Sequence, residues 1–290
     1  MLDRAIAPLF VFLWSTGFIG ARLGLPYTEP LTYLVTRYGL VIALMLLAAL
    51  IFRAPWPQSR RAVLHIAVAG LLLQASYLGG VFMSIKMGLP TGLTALIVGL
   101  QPIVTALGAG WLLGEAVNRR QWLGLALGFA GLVLVVVYSR TPGFGNRWPW
   151  TALLPSLVAL VGITAGTLYQ KRFCPKFDLR SGAVIQFSAS LLLSLPLALG
   201  TERMEIDWTG EFIFALAWSV LMLSLGAISL LNILIRRGSA VQVTRLFYLT
   251  PGVTALMGWL MFDERLAPLA VAGMGLAAWG VWLSRAPQTR

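Results

Sequence analysis

Charge is scarce in this chain. Only 11% of its 290 residues are Asp, Glu, Lys or Arg, where a soluble domain carries about 25% because it must coat a surface facing water. Acids are scarcer still, ten against 22 basic residues, and none falls well inside an apolar run. One cysteine, Cys174, excludes an intrachain disulfide, and with a single histidine, His65, no Cys/His metal spacing can be built. No nucleophile–base pair, metal cluster or phosphate loop is read in the sequence, so neither an enzyme nor a cofactor is expected. Cys174, beside Lys171 and Arg172, and His65, near a span start, read as spectators.

What is abundant is apolar length. Hydrophobic residues make up 58% of the chain and come in runs of roughly 20, the number that crosses a ~30 Å hydrocarbon core at 1.5 Å per residue. Ten such spans are expected, near residues 5–24, 31–52, 62–85, 89–113, 122–138, 150–170, 181–199, 212–235, 240–262 and 266–283. The first has no small-residue cleavage site after a short apolar core and reads as a retained span. The breaks carry turn and charge signals: Pro26 to Pro30, Pro55-Trp56-Pro57, Pro142-Gly143 and Arg236-Arg237-Gly238.

The net charge of +12 does not point to nucleic acid, because the basic residues form short clusters between spans rather than one extended face. With the N-terminus placed inside, 14 Lys and Arg lie on the inner side and six on the outer side, with Arg37 and Arg245 inside spans. That bias selects a plasma-membrane protein of bacterial inner-membrane type with both termini cytoplasmic.

An internal repeat is the most informative feature. Shifting the chain by 149 residues superposes Pro102 on Pro251, Val104-Thr105-Ala106-Leu107 on Val253-Thr254-Ala255-Leu256, Glu115 on Glu264, Gly124 on Gly273 and Gly131 on Gly280. The same shift pairs Arg22 with Lys171, and Arg37-Tyr38 with Gln186-Phe187. Five spans per copy is an odd number, so the second copy must enter the membrane from the opposite side. The fold class is therefore an all-α membrane protein of ten transmembrane helices in two inverted five-helix repeats, residues 1–140 and 147–290. Inverted repeats are the usual architecture of alternating-access carriers, since one site between the halves can open to either side by near-equivalent motions. The expected partners are the lipid bilayer and a small-molecule solute, with no nucleic acid, in a monomer or weak dimer.

The repeat skeleton resembles the EamA branch of the drug/metabolite transporter superfamily. Its residues are Trp14-Ser15-Thr16-Gly17-Phe18, Arg37-Tyr38, Gln101-Pro102, Gly114-Glu115, Gly124-xxx-Gly128-xx-Gly131, and in the second copy Tyr248-Leu249-Thr250-Pro251, Asp263-Glu264 and Gly273. The resemblance covers nearly the whole chain and departs at Asp263, where the first copy has Gly114. It implies a ten-helix exporter fold with a central cavity, and members that export amino acids, aromatic ones included, and other metabolites.

Within the spans, Arg37 must face protein or water, because a buried arginine costs about 2.5–3.5 kcal/mol on insertion scales. It either forks a substrate carboxylate or pairs structurally. Arg245, nearer a span end, reads as snorkelling. Pro102 and Pro251 sit at matching mid-span positions and predict kinks, with Gln101, Thr105, Thr250 and Thr254 supplying polar groups beside them. Trp14, Tyr77, Phe247 and Tyr248 are candidates for an aromatic pocket, and Tyr169 for an interfacial belt. Gln74, Gln186, Ser229 and Asn232 either contact solute or bond helix to helix. Gly110/Gly114, Gly124/Gly128 and Gly162/Gly166 read as close-packing pairs. With no buried acid or relay, a uniporter is the default. The substrate reading is neutral amino acids, aromatic ones among them. The rivals are a multidrug carrier, a nucleotide-sugar or phosphate-ester carrier, a channel, and a structural or regulatory membrane protein.

Overall fold

In a computed structural model, residues 2–114, 118–138, 148–174, 176–237, 245–262 and 268–283 are described. The chain forms helices α1 (Leu2–Gly24), α2 (Pro30–Ile51) and α3 (Arg60–Lys86), the last with a π-helical stretch over Leu71–Ser76. Helix α4 comes in two pieces, Thr91–Val98 and Gln101–Leu113, and is followed by α5 (Arg119–Tyr138). Then come α6 (Leu153–Phe173) and α7 (Leu179–Thr201). Helix α8 joins Gly210–Trp218, a π-helical Ser219–Ala227 and Ile228–Arg237. A 3-10 turn, Arg245–Tyr248, leads to α9 (Thr250–Phe262), and α10 is Pro268–Leu283. Among the described residues seven segments are long and apolar enough to cross a bilayer, while α5, α9 and α10 carry the shorter apolar stretches Trp122–Gly131, Gly252–Phe262 and Val271–Gly280. Glu115, Pro142-Gly143, Asp263 and Glu264 lie outside the described residues.

Helix starts follow local chemistry. Ser59 and Thr209 accept hydrogen bonds from Ala62 N and Phe212 N, each opening the third helix of its copy. Pro30 sits in the first turn of α2, where its missing N–H goes unmissed. Gln101-Pro102 does the same for the second piece of α4. The expected kink is a true break at Gly99-Leu100, and Pro102 stands in the first turn of a new helix rather than mid-helix.

The 149-residue offset is drawn in the helix boundaries. Pro30 maps to Leu179, Gln101 to Thr250, Leu113 to Phe262 and Arg119 to Pro268, and each pair bounds equivalent helices. The π-helical stretch of α3 falls within the offset image of that in α8. Equivalent helices run in opposite directions. The start of α2 meets Glu202 beyond the end of α7, and the Ser181 hydroxyl near the start of α7 reaches the Pro55 carbonyl beyond the end of α2. Neighbours are paired likewise: α1 packs on α8 and α9, α6 on α3 and α4, and α5 on α10. The fold is therefore two inverted five-helix repeats.

One face is held by a clasp between the copies. The Glu202 carboxylate accepts from Leu31 N (2.8 Å), Thr32 N (2.7 Å) and Thr32 Oγ1 (2.7 Å), capping a helix in the other copy. Arg203 N donates to Glu29 (2.6 Å), Asp207 N donates to Tyr27 O (2.9 Å), and Thr28 bridges to Ile206. The Tyr27 hydroxyl donates to Glu211, a bond that raises the phenol pKa. On the opposite face Asp178 caps its own helix, α7, through Arg180 N (2.9 Å). The Arg180 side chain, 2.9 Å away, holds the Asp178 carboxyl below its ordinary value.

Helices approach most closely where side chains vanish. A Cβ on Gly80 would stand 2.3 Å from the Pro155 carbonyl oxygen, and one on Gly280 would stand 2.4 Å from that of Gly124. The adjacent Gly79 has nothing within 4 Å. Gly80→Ala should therefore cost about 1–3 kcal/mol by forcing α3 off α6, while Gly79→Ala should be neutral or gain up to ~1 kcal/mol of helix propensity. Thermal unfolding of the two purified variants in detergent checks this; equal melting temperatures would contradict the packing described.

Candidate functional site

Helices α1, α2, α3 and α8 enclose a cavity of about 40 Å³ beside the aromatic core. Trp14, Phe18, Arg37, Gln74, Tyr77 and Asn232 are among its lining side chains. Both π-helical stretches reach it, Leu73 and Gln74 from one, Leu223 and Ala227 from the other. Extra residues per turn redirect side chains and leave backbone groups irregularly paired, a feature often found at functional sites. Here side chains take part in that pairing: Tyr38 Oη donates to Gln74 O (2.7 Å) and Ser224 Oγ to Ser219 O (3.1 Å).

Arg37 is 2% exposed. Its Nε donates to Ser224 Oγ at 3.0 Å, and among the described residues no carboxylate stands within ion-pair distance. The two Nη groups remain to be answered. Gln74, also 2% exposed, has an Oε1 with no hydrogen-bond partner. Trp14 and Tyr77 lie parallel, ring centroids 5.9 Å apart, and Phe247 meets Trp14 edge-on at 5.0 Å. The cavity thus joins an uncompensated cation and an orphan acceptor to apolar, aromatic walls, in a volume with room for about one water.

The other sequence candidates fall elsewhere. Gln186 is buried behind the cavity, where its Nε2 donates to Gln170 Oε1 (2.9 Å), and Gln170 Nε2 donates to Asn232 Oδ1 (2.6 Å). Gln101 bonds Thr167 Oγ1 (3.1 Å) on α6 and keeps an orphan Oε1; the Thr105 and Thr250 hydroxyls are likewise buried without partners. Thr254 donates to Ser15 O (3.3 Å). These groups flank the two helix breaks and do not line the cavity. Tyr169 is half-buried and hydrogen-bonds His65 (2.7 Å), which stacks on Phe173. The side chains of Arg245, Tyr248 and Pro251 lie outside the described positions. Sequence reasoning missed Gln170, Ser219 and Ser224. Gln170 carried a usable signal, an amide within an apolar run, but beside Lys171 it read as a span boundary.

The EamA-like transporter family matches residues 5–137 and again residues 150–286. The "Uncharacterized inner membrane transporter YedA" of Escherichia coli K12 is 26% identical over 289 residues, covering 98% of this chain and 92% of that protein. A "Probable amino-acid metabolite efflux pump" of the same organism is 24% identical, over 97% and 94% of the two chains. A solved crystal structure with 17% identity superposes with a TM-score of 0.73 over 97% of this chain and 96% of its own, a likeness of fold. With its model matched twice, once in each copy of the repeat, this multi-pass chain belongs to the EamA-like transporter family.

Proposed function

We propose that the protein exports neutral α-amino acids, aromatic ones among them, across a bacterial inner membrane by alternating access. The observation that carries this reading is Arg37, a buried cation that opens onto the cavity with no acid to balance it among the described residues. A solute carboxylate supplies the missing charge and takes the two-donor fork of the guanidinium. A solute ammonium finds the orphan Gln74 Oε1. A cationic drug finds no carboxylate among the described lining residues, which disfavours that rival. The printed name of one relative, an amino-acid metabolite efflux pump, leans the same way.

The present cavity is too small for an amino acid, so the halves, residues 1–140 and 147–290, must part to load it. Arg37–Ser224 crosses between them; its rupture on opening frees Nε for the solute. Loading occurs from the cytoplasm, with the Glu202 clasp on the outer face.

In proteoliposomes of pure protein, Arg37→Ala should lower carboxylate-dependent flux at least about tenfold, one decade per 1.4 kcal/mol lost. Arg37→Lys should restore only part, because an ammonium lacks the planar fork. Wild-type flux through well-inserted Arg37→Ala protein would remove the carboxylate reading.

Orientation is tested with an impermeant maleimide on intact cells. Asp207→Cys should label and Gln58→Cys should not. Native Cys174 is buried at the end of α6, on the same face as Gln58, so the unmodified protein should not label from outside. Labelling of Gln58→Cys alone would reverse the topology.

A further inference from the structure

Resting on the carboxylate reading of Arg37, we propose that Asn232 reads the far polar end of the solute. Gln170 and Gln186 aim it, so the carrier favours aromatic amino acids that bear a ring hydroxyl over those that do not. The two polar ends of the cavity lie along one helix. Ser224, which holds Arg37, and Asn232 are both on α8, with eight residue steps between them, roughly 12 Å along the axis. The wall between is apolar, with Ala227, Ile228 and Leu231 on α8 facing the cavity with Trp14 and Tyr77. A matching solute has a carboxylate at one end, a flat apolar middle, and a hydrogen-bonding group at the other.

The donor sense at the far end follows from the amide chain. Gln186 Nε2 donates to Gln170 Oε1, and Gln170 Nε2 donates to Asn232 Oδ1. Asn232 Oδ1 is thereby engaged, and Nδ2 is the group left for the cavity. Gln186 is itself fixed, because its backbone lies so close to Gly70 that a Cβ there would stand 2.5 Å from it. All three amides belong to the second copy of the repeat, so relative motion of the halves leaves Asn232 aimed. A phenolic oxygen satisfies Nδ2. A ring ending in C–H leaves it desolvated and unpaired, the circumstance in which binding sites discriminate most strongly. Gln170 is a positioning residue and touches no solute.

The test uses the purified full-length protein in proteoliposomes with tyrosine and phenylalanine, which differ by the hydroxyl alone. In the unmodified protein the tyrosine-to-phenylalanine ratio of kcat/KM should be about ten or more. It should fall toward one in Asn232→Ala and drop several-fold in Gln170→Leu. A purely structural Gln170 would lower both fluxes by the same factor, and that unchanged ratio would overturn its positioning role. A ratio near one in the unmodified protein, with flux still dependent on Arg37, would overturn the inference and leave the carboxylate reading standing. Absence of carboxylate-dependent flux for both solutes would overturn the two together. The ratio in the unmodified protein decides the matter even if a variant fails to insert.

Discussion

Hydrocarbon offers no partner to a backbone N–H or C=O, and each group left unpaired there costs several kcal/mol. The helix irregularities described above are disposed around that constraint. The π-helical stretches of α3 and α8 both reach the cavity, through Leu73 and Gln74 and through Leu223 and Ala227. The α4 break places Leu100 and Gln101 in a buried setting, with the Gln101 amide bonded to α6. Serine and threonine hydroxyls repeatedly bond the carbonyl a turn earlier, as in Thr164 to Leu160 and Thr167 to Ile163. Irregular backbone and buried polar side chains thus gather in the same central layer. That layer is where a membrane protein can hold a polar site at all.

The two polar systems in that layer are organised differently. Arg37 bonds across the copies, from α2 to Ser224 on α8. The Gln186–Gln170–Asn232 chain stays within the second copy and ties α7, α6 and α8 together. The offset makes Arg37 and Gln186 equivalent, so duplication has let one position hold a cation that bonds across the copies and its image an amide that bonds within its own copy.

Much of the architecture was legible in the chain itself. The Pro102/Pro251 and Glu115/Glu264 correspondences predicted an offset that returns in helix boundaries such as Gln101 and Thr250. Apolar run length located most of the helices within a few residues, because a bilayer imposes length more strictly than any soluble core; the ninth, expected from residue 240, has its helix only from Thr250, after a 3-10 turn. Arg37 and Gln74 stood out since polar groups inside apolar runs are costly. The π-helical stretches were invisible, because an extra residue per turn leaves no periodicity signal in a run that is apolar all round. Ser224 and Gln170 were missed because their partners lie 187 and 62 residues away. No local pattern encodes such pairings. Gln186 stood out by residue type, yet only the fold places it behind the cavity.

The Glu202 clasp has a consequence for energetics under alternating access. Were the copies identical, two-fold symmetry would make the inward- and outward-facing states degenerate. The clasp sites have diverged. By the offset, Glu202 corresponds to Arg53, Glu29 to Asp178 and Thr32 to Ser181. On one face carboxylates bind the other copy's backbone; on the other, among the described residues, Asp178 binds its own helix and its neighbour Arg180. Under the proposed alternating access, that inequality favours closure of the Glu202 face in the empty carrier, because that face alone is tied by carboxylate–backbone bonds between the copies among the described residues.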